Sequence, residues 1–309
     1  MQLDVVVAFF ILGIIAKLMR AELVFPKGLS QTLTLFLMIA IGLKGGVALA
    51  DHADSSLITQ ALAVIAFGVM LTFIAFPILT YFGQLAKTDA ASIAAHYGSV
   101  SVGTYAVAVA LLESQSITYE AYFPLFVVLL ELPAIAVGIF LAKGRALGSE
   151  RRKLLHEMFC SQGVVLMLGG LVIGWIWGEQ TQQIMPFFKG LFHGVLALFL
   201  LDMGLTAASR IDSFKSTGSF IATFGVVMPL IGGLLGGLLA KLLGLSVGGI
   251  ALLAVLGASA SYIAVPAALR VALPKANMSL SITSSLAVTF PFNVLVGIPI
   301  YIAYGHWLA

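Results

Sequence analysis

The sequence predicts an all-α polytopic membrane protein: ten transmembrane helices in two inverted five-helix repeats, with helices 4 and 9 broken. Three observations predict it. Sixty-one per cent of the 309 residues are hydrophobic, 9% are charged and the mean hydropathy is +1.10, values incompatible with a soluble domain that has a charged surface. The apolar residues fall into about ten continuous runs, each near the roughly 20 residues that a helix needs to cross a bilayer. Landmarks in the first half return in the second at a nearly constant offset.

In chain order the runs are 3–19, 30–50, 57–82, 90–112, 120–142, 158–177, 187–208, 217–240, 247–272 and 280–304. They are long and continuous rather than alternating with a period of two, which excludes a transmembrane barrel. The first run imitates a signal peptide. Asp4 stands where a basic segment is required, however, and no small-residue cleavage pattern precedes Arg20, so the run reads as a retained helix. With Cys160 as the single cysteine there is no internal disulfide framework.

Charge gives the orientation. Of the 16 Lys and Arg residues, only Lys44, Lys189 and Lys241 fall on one side of the membrane. The rest, including Arg20, Lys87, Arg151, Arg152 and Arg270, fall on the other, which the positive-inside rule makes cytoplasmic, with both termini outside. The net charge of +3 is therefore topology and not a nucleic-acid footprint. The cluster KGRALGSERRK at 143–153 suits anionic membrane lipid or a cytoplasmic partner. Trp175, Trp177 and Trp307 read as interfacial anchors.

The repeat rests on three pairs. Gly42-Leu43 recurs as Gly204-Leu205, GSVS at 98–101 as ASAS at 258–261, and the proline of ELPA (131–134) as that of FPFN (290–293). The chain thus divides into a first repeat at 1–143, a cytoplasmic linker at 144–157 and a second repeat at 158–309. Five is odd, so the second repeat enters the membrane inverted, as in secondary transporters.

AHYGSVSVGTYAVAVALL at 95–112 and GASASYIAVPAAL at 257–269 place small and hydroxylated residues inside apolar runs. Paired interruptions at matched positions are the best sequence pointer to a transporter's site, and irregular backbone at that depth must be buried in protein or line a cavity. The half-helices that start there offer free N–H groups and positive dipole ends, and serines add donors, so the site suits a small anion. The bland reading, in which glycine and serine only allow close packing, suits GGLLGG at 232–237, where no hydroxyls accompany the glycines.

Glu131 is the one carboxylate deep in the first half's core. With Ser99, Ser101, Thr104, Ser261, Thr289 and Asn293 it supplies hard oxygens suited to sodium, although a proton could use it too. Asp202 is either a second such site or a bond to a neighbouring helix. His96 is read as a local packing or hydrogen-bonding residue. It lacks an evident acid partner, which argues against an intramembrane enzyme.

GLKGGVAL (42–49), HYGSVSVGTYAVA (96–108), SQSITYEAYFPLFVVLLELPA (114–134), GASASYIAVPAALRVALPKANMSLSI (257–282) and TFPFNVLVGIPIYI (289–302) together resemble the sodium-dependent bicarbonate transporter family of cyanobacteria and other bacteria. The resemblance runs over essentially the whole chain. It implies a homotrimer in a bacterial plasma (inner) membrane, and a core domain moving elevator-fashion against a scaffold. It also implies bicarbonate on Gly98, Ser99, Ser259, Ala260 and Ser261, with co-transported sodium on Ser99, Ser101, Glu131 and Asn293. The oxygen inventory adds Thr104 to the sodium set. Cyanobacterial members are controlled by a PII-like regulator, but the central segment here, 143–157, is shorter than theirs, which leaves that partnership open. Val102 replaces a family serine and Glu131 a family Asp, so another small anion is the alternative substrate. A passive anion channel is the alternative mechanism.

Overall fold

The computed structural model describes residues 4–51, 56–144, 156, 160–210 and 218–309. All regular structure among them is helical. The helices are α1 (Val5–Leu18), α2 (Lys27–Asp51), α3 (Ser56–Pro77, continued by a π turn, Ile78–Phe82), α4 (Lys87–Gly98), α5 (Val102–Ser114) and α6 (Phe123–Lys143). After the linker come α7 (Gln162–Trp177), α8 (Met185–Ser209), α9 (Ser219–Leu242), α10 (Val247–Ala258), α11 (Ala264–Ala272) and α12 (Met278–Leu308). The expected linker, 144–157, lies almost wholly outside the described residues.

Among the described residues eight helical segments are long and apolar enough to cross a membrane, with α4 and α5 counted as one; α1 and α10 are apolar but shorter. Their ends follow local chemistry. The Asp4 carboxylate accepts from the Val6 N–H at 2.9 Å, starting α1, and the Ser161 hydroxyl accepts from Val164, which starts α7 later than the apolar run does. α9 stops at Gly244, whose φ of +71° lets its N–H reach the Lys241 carbonyl while the Leu245 N–H reaches Ala240, a Schellman motif. In α12 the wide turns Thr283–Thr289 and Asn293–Gly297 run up to Pro291 and Pro299, which lack the N–H that a regular turn requires.

Two bodies emerge from the packing. In the smaller, α1 lies along α8 and α2 along α7. These contacts are backbone on backbone: a Cβ on Gly13 would strike the Leu201 carbonyl, one on Gly204 that of Phe10, one on Gly42 that of Met167 and one on Gly174 that of Leu43. The larger body holds α3–α6 and α9–α12. There α3 packs on α4 and α6, and α9 on α10, through Gly232 and Gly236 of the GGLLGG run. At its centre residues 90–101, 103–112 and 248–261 are buried without interruption. Those are the two interrupted segments. Large apolar side chains such as Leu12, Ile58, Ile176, Leu198 and Leu234 face outward, as a lipid-facing surface requires, and Trp175, Trp177 and Trp307 are exposed near helix ends.

Candidate functional site

Both interruptions are real breaks. Residues 99–101 separate α4 from α5, and 259–263 separate α10 from α11. They cross one another and exchange hydrogen bonds. The Ser101 N–H donates to the Ser259 hydroxyl at 3.1 Å, and the Ser261 N–H donates to the His96 carbonyl at 2.9 Å. Ser259 in turn donates to the Leu256 carbonyl at 2.9 Å. The last carbonyl of α10, Ala258, accepts from the Asn293 side-chain amide at 2.8 Å, so α12 holds the end of that half-helix.

Ser101 is the N-cap of α5, and its counterpart Ser261 lies two residues before Ile263, the N-cap of α11. The Ser101 hydroxyl accepts from Thr104 N–H at 3.1 Å, and the Ser261 hydroxyl accepts from Val265 N–H at 3.3 Å. By position the Val102 and Gly103 N–H groups of α5 have no intrahelical acceptor, so the positive end of α5 opens at the crossing. Between the breaks lies a cavity of about 20 Å³, lined by Ser101, Val102, Ser261, Tyr262, Glu131 and, from the smaller body, Met38. That is room for one water-sized occupant. The Glu131 Oε1 atom, buried on α6, has no hydrogen-bond partner among the described residues, and neither do the Ser99 hydroxyl nor the Asn293 Oδ1. Orphaned oxygens at this depth are costly unless a ligand completes them, and an oxygen set of this kind fits a hard monovalent cation.

Of the expected residues, Ser101, Ser261 and Glu131 share the cavity. Ser99, Thr104, Ser259, Ala260 and Asn293 are buried around the crossing without lining it. Gly98 is enclosed by α3: a Cβ there would strike the Thr72 hydroxyl, so close packing already demands this glycine. Thr289 lies in a separate chain of hydroxyls. It donates to the Gly225 carbonyl at 2.7 Å, so Tyr97 donates to Thr289 and Ser284 to Tyr97. The His96 Nδ1 is 2.7 Å from the Ser92 carbonyl and therefore carries the ring proton, the local bond expected of it. Asp202 lies against Ser30 of α2, a neighbouring-helix contact. The sequence reading missed Tyr262 and Met38. Tyr262 follows ASAS directly and could have been found as the polar-tipped side chain nearest the break, whereas Met38 carries no chemical signal.

Comparison with known families supplies the remaining observation: the model of the Na+-dependent bicarbonate transporter superfamily matches residues 5–306. The chain belongs to this superfamily. No curated protein is similar enough to the chain to count as a match. The superfamily match takes in both helix breaks, Glu131 and Asn293 together. A multi-pass helical membrane protein of a sodium-dependent transport family accounts for a buried site built from hydroxyls, half-helix ends and one carboxylate, with no cluster of three His, Cys, Asp or Glu among the described residues.

Proposed function

We propose that this protein is a sodium-coupled symporter that imports a small monoanion, bicarbonate first, across a bacterial inner membrane. The observation that carries the reading is the buried crossing of two helix breaks with the unpartnered Glu131 oxygen on the same cavity. The anion would sit at the positive half-helix ends, on the backbone and hydroxyls of Gly98, Ser99, Ser259, Ala260 and Ser261. Sodium would sit beside it, on oxygens drawn from Ser99, Ser101, Thr104, Glu131 and Asn293. Its charge offsets the cost of burying the anion, and the anion does the same for sodium.

On this reading the chain crosses the membrane ten times, with α1 and the broken α10–α11 as spans, as two inverted repeats with both termini outside. The matched Ser101 and Ser261 hydroxyls, each accepting an N–H from the half-helix that follows, and the reciprocal pairing of α1 with α8 and α2 with α7, support the repeat. The larger body, carrying the site, would move elevator-fashion against the smaller, with a homotrimer as the assembly. Regulation by a PII-like protein and lipid contact at 143–153 depend on residues outside those described and rest on the sequence alone.

The test is uptake of labelled bicarbonate into proteoliposomes under an inward sodium gradient, against potassium. Accumulation that requires sodium is the expected result. Equilibration indifferent to sodium would mean a passive channel, and sodium-driven uptake of a different anion would change the substrate alone.

A further inference from the structure

The end of the bundle that carries both termini has three basic residues, Lys44, Lys189 and Lys241. Lys241 donates to the Leu308 backbone carbonyl. The other two line one cleft of about 310 Å³, which opens between the two bodies. One wall is α2 and α8 of the smaller body, with Lys44, Lys189 and His193. The other is α5, whose residues Tyr105, Val109 and Glu113 recur every four positions and so share one face. From Glu113 to Tyr105 that face runs about 12 Å inward at 1.5 Å per residue. Tyr105 lies one turn beyond Ser101 at the break.

The charges in this cleft do not cancel. Among the described residues Glu113 is the one carboxylate lining it. It pairs with Lys44 and accepts from the Tyr119 hydroxyl at 2.9 Å, while Lys44 also reaches Tyr119 at 3.2 Å. Burial first, then Tyr105 and the Glu113 charge, hold the Tyr119 phenol above its usual range, so it stays a protonated donor. Lys189 is exposed and has no hydrogen-bond or ion-pair partner among the described residues. Among the described residues two cations therefore face one anion, between walls that are otherwise mostly apolar and focus the field. Topology accounts for the scarcity of lysine at this end but not for two of three lysines in one recess.

We infer that this cleft is an anion-capture site, where a small monoanion from the solution on the termini side is held between Lys44 and Lys189 before it passes along the Tyr105 face to the helix breaks. The inference rests on the reading of the chain as an anion importer and names residues outside the buried site. Capture concentrates the anion at the mouth without touching the step that carries it across.

The decisive experiment is the concentration dependence of sodium-driven bicarbonate uptake for Lys189→Gln, Lys189→Glu and the control Lys241→Gln. The KM of Lys189→Gln is expected to rise about five-fold and that of Lys189→Glu further, with Vmax within about two-fold of wild type and the differences shrinking as impermeant salt is raised. A KM for Lys189→Gln equal to that of Lys241→Gln, or a loss confined to Vmax, overturns the capture site. If the wild-type protein takes up no bicarbonate, it is the function reading that fails. Bromide soaked into crystals of the full chain then decides the cleft: anomalous density between Lys44 and Lys189 that is lost in Lys189→Gln supports it, and a cleft without bromide overturns it.

Discussion

At the scale of single residues, Glu131 and Asn293 set the expectations. The buried Glu131 Oε1 has no hydrogen-bond partner among the described residues, which leaves it open to a ligand. Glu131→Gln keeps shape and volume but removes the charge, so it is expected to abolish sodium-dependent uptake while the purified protein keeps its thermal unfolding profile. Normal sodium dependence in that variant would remove Glu131 from the coupling role. Asn293 carries a different load, since its amide satisfies the Ala258 carbonyl at the end of α10. Asn293→Leu strands that carbonyl at a cost of about 1–3 kcal/mol, and the expected result is a lower unfolding temperature together with weaker uptake. Uptake lost with unfolding unchanged would mean that its Oδ1 matters more than its amide.

At the scale of elements, most helices could be read directly because each is a long apolar run, and some are bounded by a capping residue, as Ser161 starts α7 and Gly244 stops α9. Both breaks were legible too, because small and hydroxylated residues interrupt two apolar runs at matched positions. The π turns of α12 were not, since prolines announce a disturbance without saying which way the backbone relieves it. Nor was the pairing of α1 with α8, which depends on Gly13 meeting Gly204 across nearly two hundred residues; either glycine alone looks like any other glycine in a membrane helix. Those contacts leave no space for a side chain. Gly204→Leu is expected to lower the stability of the smaller body by about 1–3 kcal/mol or to prevent its assembly, measured as thermal unfolding in detergent. Gly190→Leu, at a position with nothing near its Cβ, is the tolerated control.

At the scale of the whole molecule, a symporter must show reciprocity. Whatever factor sodium contributes to bicarbonate affinity, bicarbonate must return to sodium affinity, so binding isotherms of each ligand at zero and saturating levels of the other are expected to shift by one common factor. Unequal factors would exclude a single coupled site. The substrate end of the family reading was partly hidden in the sequence because the proposed anion site uses backbone and hydroxyls, which nearly every membrane helix also contains. Only Glu131 stood out on its own. The cavity between Ser101, Ser261 and Glu131 holds about 20 Å³, enough for a single water-sized guest. On the proposed reading such a space suits the bare cation, and the anion belongs beside it, on groups around the crossing of Ser101 over Ser259. If that crossing must part to admit the anion, loading would have an order, with the cation entering first and the anion waiting for the crossing to yield. Uptake rates at limiting sodium would rise with bicarbonate toward a ceiling that sodium sets, and the molecule would act as a lock that one ion turns before the other passes.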